Sequence, residues 1–177
     1  MLDERNLRKS LMAYARGLLQ SPPAAYGLTP YQVNDEAHLR QAIRGEFIPP
    51  PRNIFLVDSY VRPVEQVLPL VVVEVPETTF RPFELGNRSG GRYEAFYHVF
   101  GKSRGERDDL GTLLAKNLAV QVPIYDYSTS GSVALLEYAA VEDEIVSRNM
   151  EIRVDGIRQE GTLDLWKMVQ FFLLTIN

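Results

Sequence analysis

Cysteine is absent from the 177-residue sequence. That excludes disulfides, zinc–thiolate sites and thiol nucleophiles, and it fits a cytosolic fold. Histidine is scarce: only His38 and His98 occur. Neither has a second histidine at ligand spacing, so a His-rich metal site is not expected. Basic charge is not in excess. The formal charge is -4 and the pI about 5.3, which argues against a protein whose main task is to coat nucleic acid. Long hydrophobic runs are missing too. The most apolar stretches, around residues 67–73 and 169–176, fall far short of the ~20 residues that cross a bilayer. Asp3, Glu4 and Arg5 charge the first turns, so no secretory signal is expected there. No internal repeat or low-complexity segment is evident.

What is present is an ordinary globular composition, 45% hydrophobic and 24% charged, with enough chain for about one domain and a real core. The pattern divides into residues 1–50, a helical arm with a proline-rich joint, and residues 51–177, an α/β core. Asp3 is a good N-cap. Leu7, Leu11, Tyr14, Ala15 and Leu18 recur at helical spacing, predicting an amphipathic helix over residues 4–19. Ser21-Pro22-Pro23 stops it. Asn34 or Asp35 caps a second short helix, with Ala37, Leu39, Ala42 and Ile43 on one side and Gly45 at its end. Pro49-Pro50-Pro51 then reads as a stiff extended spacer.

Beyond the spacer, residues 53–60 and 70–75 read as strands, the second Val-rich and buried. Residues 78–91 read as a long loop carrying Pro82, Gly86, Asn87, Gly90 and Gly91. Residues 92–100 form an aromatic strand, with Tyr93, Ala95, Tyr97 and Val99 on one face and Glu94, Phe96, His98 and Phe100 on the other. Both faces are partly apolar, which predicts a central strand covered on both sides. Ser103 and Glu106 make an S-x-x-E capping box. Asp108 and Asp109 then suit the positive end of a helix whose buried stripe is Leu110, Leu113, Leu114 and Leu118, with Pro123 marking the end. Residues 133–141 suit a strand, although Ala134, Leu135, Leu136 and Glu137 suit a helix equally well. Residues 142–160 are polar and read mostly as loop, and 163–176 as a long strand buried on both faces. The sum is an α+β fold: a mostly antiparallel sheet with a helix packed on one face, preceded by an N-terminal helical arm.

Chemical motifs are incomplete. Gly101-Lys102-Ser103 resembles the end of a phosphate-binding loop, but the glycine required five residues earlier is Phe96. A strand-to-helix turn with a capping serine accounts for all three residues. His98 reads as a packed or hydrogen-bonded strand residue. Glu142-Asp143-Glu144 lacks calcium-loop spacing and reads as a solvated surface. Ser128-Thr129-Ser130-Gly131 has no nearby histidine and no nucleophile elbow. Asp58 and Glu74, on adjacent expected strands, resemble a nuclease acidic pair and define a low-ranked divalent-metal enzyme alternative, but the usual lysine two residues past the glutamate is Pro76. No catalytic, cofactor-binding or metal-binding residue is assigned, and no cofactor is expected.

The arginines are more informative. Arg81, Arg88 and Arg92 flank the long loop, and Arg104 and Arg107 begin the next helix. Folded together, the five would face a partner, a role that suits the planar guanidinium; scattered, they are solvated charges. The arm has a similar choice. Its stripe, including Leu7, Leu11, Tyr14 and Leu18, must pack on its own core, on a neighbour, or on a ring above or below. The proline-rich spacing favours the last two.

The segment 68–127 resembles the tail terminator proteins of long-tailed bacteriophages. The likeness lies in a hydrophobic strand, a loop with Phe83-Glu84-Leu85-Gly86 and an aromatic strand ending Tyr97-His98-Val99-Phe100. A charged turn, a helix opening Glu106-Arg107-Asp108-Asp109-Leu110 and then Val122-Pro123-Ile124-Tyr125-Asp126-Tyr127 complete it. The resemblance extends loosely to the last strand. It implies a structural virion protein of the neck, made in the bacterial cytoplasm, that caps the tail tube and joins it to the head-side connector. It also implies a six-fold homo-oligomeric ring, contacts with the tail tube protein and head-side neck proteins, no membrane, and no sequence-specific nucleic acid, although DNA passes through the lumen. On this reading Arg81, Phe83, Glu84, Arg88, Arg92, Arg104 and Arg107 are the candidate partner-facing residues of the core, beside the stripe of the arm. The arm exceeds the compact form of the family, which leaves open another neck role, an adaptor or stopper.

Overall fold

A computed structural model describes residues 4–58, 65–76, 91–118, 121–128, 133–141, 146–153 and 164–176. The described residues form an α+β fold of eight strands and three α-helices. The strands are β1 (Gln32–Asn34), β2 (Asn53–Val57), β3 (Leu70–Glu74), β4 (Gly91–Gly101), β5 (Gln121–Asp126), β6 (Ala134–Val141), β7 (Val146–Arg153) and β8 (Asp164–Ile176). The helices are α1 (Glu4–Gln20), α2 (Glu36–Ile43) and α3 (Arg104–Lys116). The sheet order is β1-β2-β3-β4-β8-β6-β5. β1, β2 and β3 run parallel and every other pairing is antiparallel. β4 occupies one edge of β8 along nearly its whole length. β7 and β6 share the other edge, facing residues 164–171 and 174–175 respectively.

Helices α1 and α3 lie on the same face. Leu7, Leu11, Ala15 and Leu19 of α1 and Leu110, Leu113 and Leu114 of α3 are fully buried against Ile54, Leu56, Val71, Tyr97, Val99, Phe172 and Leu174. α1 therefore packs on its own sheet, not on a neighbour as the proline-rich spacing favoured. It touches β1, β2 and β3 at one side and β5 at the other, so the sheet curls around it. Ser10 Oγ accepts from the Tyr125 amide at 2.9 Å, and Asn6 Oδ1 accepts from the Tyr127 amide at 2.9 Å. These two side chains occupy donors that an edge strand would otherwise offer to another chain.

The joint is not a free spacer either. The Gln32 amide donates to the Arg52 carbonyl at 2.9 Å and the Asn53 amide to the Pro50 carbonyl at 3.2 Å, so the prolines turn the chain from α2 into β2. Arg52 takes a left-handed φ of 62° and its guanidinium lies over the Tyr31 ring, 4.1 Å from the centroid. With β1 paired to β2, residues from the expected arm are built into the same sheet as the rest.

Helix α2 covers the opposite face at one end only. Leu39, Ala42 and Phe47 pack on Phe55, Val57, Leu70, Val72 and Phe100. Asp35 caps it, accepting from the His38 amide at 3.1 Å. Gly45, at φ 73°, closes it: its amide donates to Ala42 and that of Glu46 to Gln41, the paired bonds of a Schellman end.

The expected helices and most strands occur where the pattern places them. Asp3 lies outside the described residues, as do all but Gly91 of the stretch 78–91 expected to be a long loop, and the acidic run at residues 142–144. Three strands differ from expectation. β1 is too short to leave a period. β5 contains Pro123, read above as a terminator; on an edge strand the missing amide costs no ladder bond. β7 lies in a stretch read as loop, and its eight-residue register with β8 outweighs local polarity. β4 is central, but only its inner face is fully covered. Among the other-face residues Phe100 is buried, Phe96 and His98 are half-buried and Glu94 is exposed. β8 likewise buries Met168, Gln170, Phe172 and Leu174 and leaves Lys167, Val169, Phe171 and Leu173 half-buried.

Candidate assembly surface

The end of β4 shows how the sequence builds the α3 turn. Ser103 Oγ accepts from the Glu106 amide at 3.2 Å, as the capping box requires. Glu106 Oε2 reaches one residue further back than the box predicts, to the Lys102 amide at 2.8 Å. Gly101 is needed because a Cβ there would meet Arg107 N at 2.7 Å and Ser103 O at 2.9 Å. All three residues of the phosphate-loop look-alike are thus used in turning the chain.

The three described candidate arginines, Arg92, Arg104 and Arg107, do not form one face. Arg107 is 3% exposed, donates to Asp108 Oδ1 at 2.6 Å and lies over Trp166. Its role is internal. Arg104 is 72% exposed at the start of α3. Arg92 is exposed at the opposite end of β4, about 30 Å of strand away. Arg81, Phe83, Glu84 and Arg88 lie outside the described residues. In α1, Leu7 and Leu11 are core residues, while Tyr14 and Leu18 are half-buried against that core. The Tyr14 hydroxyl donates to the Asn117 carbonyl, tying α1 to the end of α3. None of these four offers the free apolar stripe that an extended arm would.

Asp58 and Glu74 do not converge. Asp58 faces α1, where Arg8 Nε lies 3.3 Å from its Oδ2. Glu74 follows Leu70 and Val72 on the α2 face, 2.7 Å from His98 Nε2. The sheet lies between the two carboxylates. Among the described residues no group of three or more His, Cys, Asp or Glu side chains could hold a metal ion. His98 is a hydrogen-bonded strand residue, as expected.

Two exposed apolar regions emerge that the pattern did not single out. The first is the β5–β6 hairpin, where Val133, Leu135, Leu136 and Tyr138 are 55%, 47%, 41% and 51% exposed. Glu137 faces Ile124 and Leu135 faces Tyr125, so Leu136 is an extra residue on β6. Ile124 is buried on the helix-bearing side. The bulge therefore sets Leu135 on the opposite side with Tyr125, next to Leu136 and Tyr138. The second region is the uncovered part of the outer sheet face. Phe96 and Phe171 pack there at 5.1 Å between centroids, with Phe96 stacked on His98 at 6.0 Å. Lys167 stands over Phe100, 5.2 Å from the ring centroid, and burial lowers the pKa of its amine. Surrounded by polar residues, such patches mark contact surfaces more often than chance exposure does. The two partly apolar faces of β4 were visible in its alternation, but the bulge that brings Leu135 beside the other β6 side chains depends on its partner strand and left no local signal.

The sequence matches no protein-family model and no curated protein. No helix among the described residues is long and apolar enough to cross a membrane.

Proposed function

We infer that this chain is a structural subunit of a bacteriophage neck, a tail terminator that closes the tail tube and joins it to the head-side connector as a subunit ring. The observation that carries the reading is the exposed β5–β6 hairpin, four large apolar side chains at one end of the sheet. A ring subunit needs one surface that meets a different surface of its neighbour. Ser10 and Asn6 occupy the Tyr125 and Tyr127 amides at the outer edge, so this hairpin offers side chains for docking and not a free strand edge. The α+β fold agrees with the fold that the family resemblance implies, although α1 belongs to the core.

Electron microscopy and native mass spectrometry of the purified chain, alone and mixed with tail tubes, test this. Rings, or density capping tube ends, are expected. Loss of the gene should give tails of uncontrolled length, or full heads beside unattached tails. A chain that neither forms rings at high concentration nor binds tube ends would sink the proposal.

A further inference from the structure

The outer sheet face has a polarity along its strands. Across β4 and β8 the paired rows run Glu94 with Leu173, Phe96 with Phe171, His98 with Val169, and Phe100 with Lys167. The two middle rows are mostly apolar and half-buried. An exposed carboxylate stands at one end of them and a half-buried ammonium group at the other. Among the described residues neither Glu94 nor Lys167 makes an ion pair, although the Glu74 carboxylate on β3 acts on the Lys167 amine. Lys167 is held above an aromatic ring, in surroundings that disfavour its charge.

We propose that this face binds the same face of a second copy through a two-fold axis running across the strands between the Phe96–Phe171 and His98–Val169 rows. The half-turn exchanges the two end rows. Glu94 of each copy then lies over the Phe100–Lys167 row of the other, and each Lys167 gains a second carboxylate within reach of an ion pair. It also exchanges the two middle rows, so Phe96 and Phe171 pack over the partner's Val169 and the partner's His98. Sheets packed face to face stand about 10 Å apart, within the joint reach of a glutamate and a lysine side chain. Helix α2 rises from the same face beside the Phe100 end. The half-turn carries the second copy's α2 to the Glu94 end, so the two helices stand at opposite ends of the contact. An apolar centre with charges at its rim is the usual anatomy of a protein interface.

This contact is isologous and closes on itself, so it stands apart from the ring reading; either can hold without the other. Analytical ultracentrifugation of the full chain over a wide concentration range reads it. Wild type should show a monomer–dimer equilibrium. Glu94→Lys and Lys167→Glu, each placing like charges together twice per dimer, should each raise Kd by about tenfold or more. The double variant should return Kd to within about threefold of wild type. Because Lys167 is half-buried, thermal unfolding of each variant checks that it folds, and Lys167→Gln replaces Lys167→Glu if it does not. A wild type that stays monomeric, single variants that leave Kd unchanged, or a double variant no better than the singles would each overturn the proposal. Failure to cap tail tubes would leave it standing.

Discussion

Replacing Leu11 with alanine separates a helix that belongs to the core from one that reaches for a neighbour. Leu11 is fully buried, among side chains from both arms of the curled sheet and from α3. Truncation removes three carbon atoms and leaves a cavity that rigid strands on two sides cannot fill. Buried leucine-to-alanine changes cost about 2–5 kcal/mol, the larger values belonging to sites that do not collapse; about 3 kcal/mol is expected here. For a chain of this length each 1 kcal/mol moves the thermal midpoint by about 2–4 °C, so Tm should fall by roughly 6–12 °C. Urea unfolding followed by circular dichroism should show a lower midpoint with an unchanged slope. Leu18→Ala, at a half-buried position on the same helix, should cost about half as much. If Leu11→Ala changed stability by less than about 0.5 kcal/mol while weakening association, α1 would be a docking arm and the packing argument would be wrong.

Ser10→Ala leaves the Tyr125 amide without its acceptor; a loss of about 1–3 kcal/mol and faster hydrogen exchange at Tyr125 are expected, and unchanged exchange would refute the edge-capping role. Gly101→Ala should destabilise by about 1–3 kcal/mol, because the new Cβ meets backbone atoms that cannot rotate away; urea titration decides. Burial, followed by the negative charge of Glu106, pushes the Tyr31 hydroxyl up to about 12 from its ordinary 10. The folded chain therefore keeps a proton that the unfolded chain loses first, and stability present below pH 10 should drain away as pH rises towards 12. Tyr31→Phe should show a shallower loss across that window in pH-dependent unfolding, and an identical profile would contradict the assignment.

Local rules located the elements whose ends are fixed by their own residues. The Asp35 cap, the left-handed Gly45 and the Ser103–Glu106 pair each act within a few positions of chain, so a reader of the sequence meets cause and effect together. β5 and β7 were illegible for the opposite reason. Pro123 reads as a breaker until β5 is seen to lie at a sheet edge, and residues 146–153 read as a loop until β8 supplies their partner. The stripe of α1 was legible, but its destination was not, since an amphipathic face states that something must cover it and not what. The surface was the least legible part. Arg107 looks like its neighbours in the sequence, yet Asp108 and Trp166 enclose it. Leu135 joins the β6 patch because a bulge realigns it with Tyr125.

The α1–β5 contact also bears on how the chain is made. Asn6 and the Tyr127 amide that it receives are 121 residues apart. At ribosomal rates of about 5–20 residues per second, roughly 6–24 s separate their syntheses. During that interval the apolar stripe of a finished helix waits for the far wall of its pocket to emerge. Helix α1 is therefore a segment of the nascent chain on which a holding chaperone would have a long opportunity to act, and completion of β5 is the event that ends it.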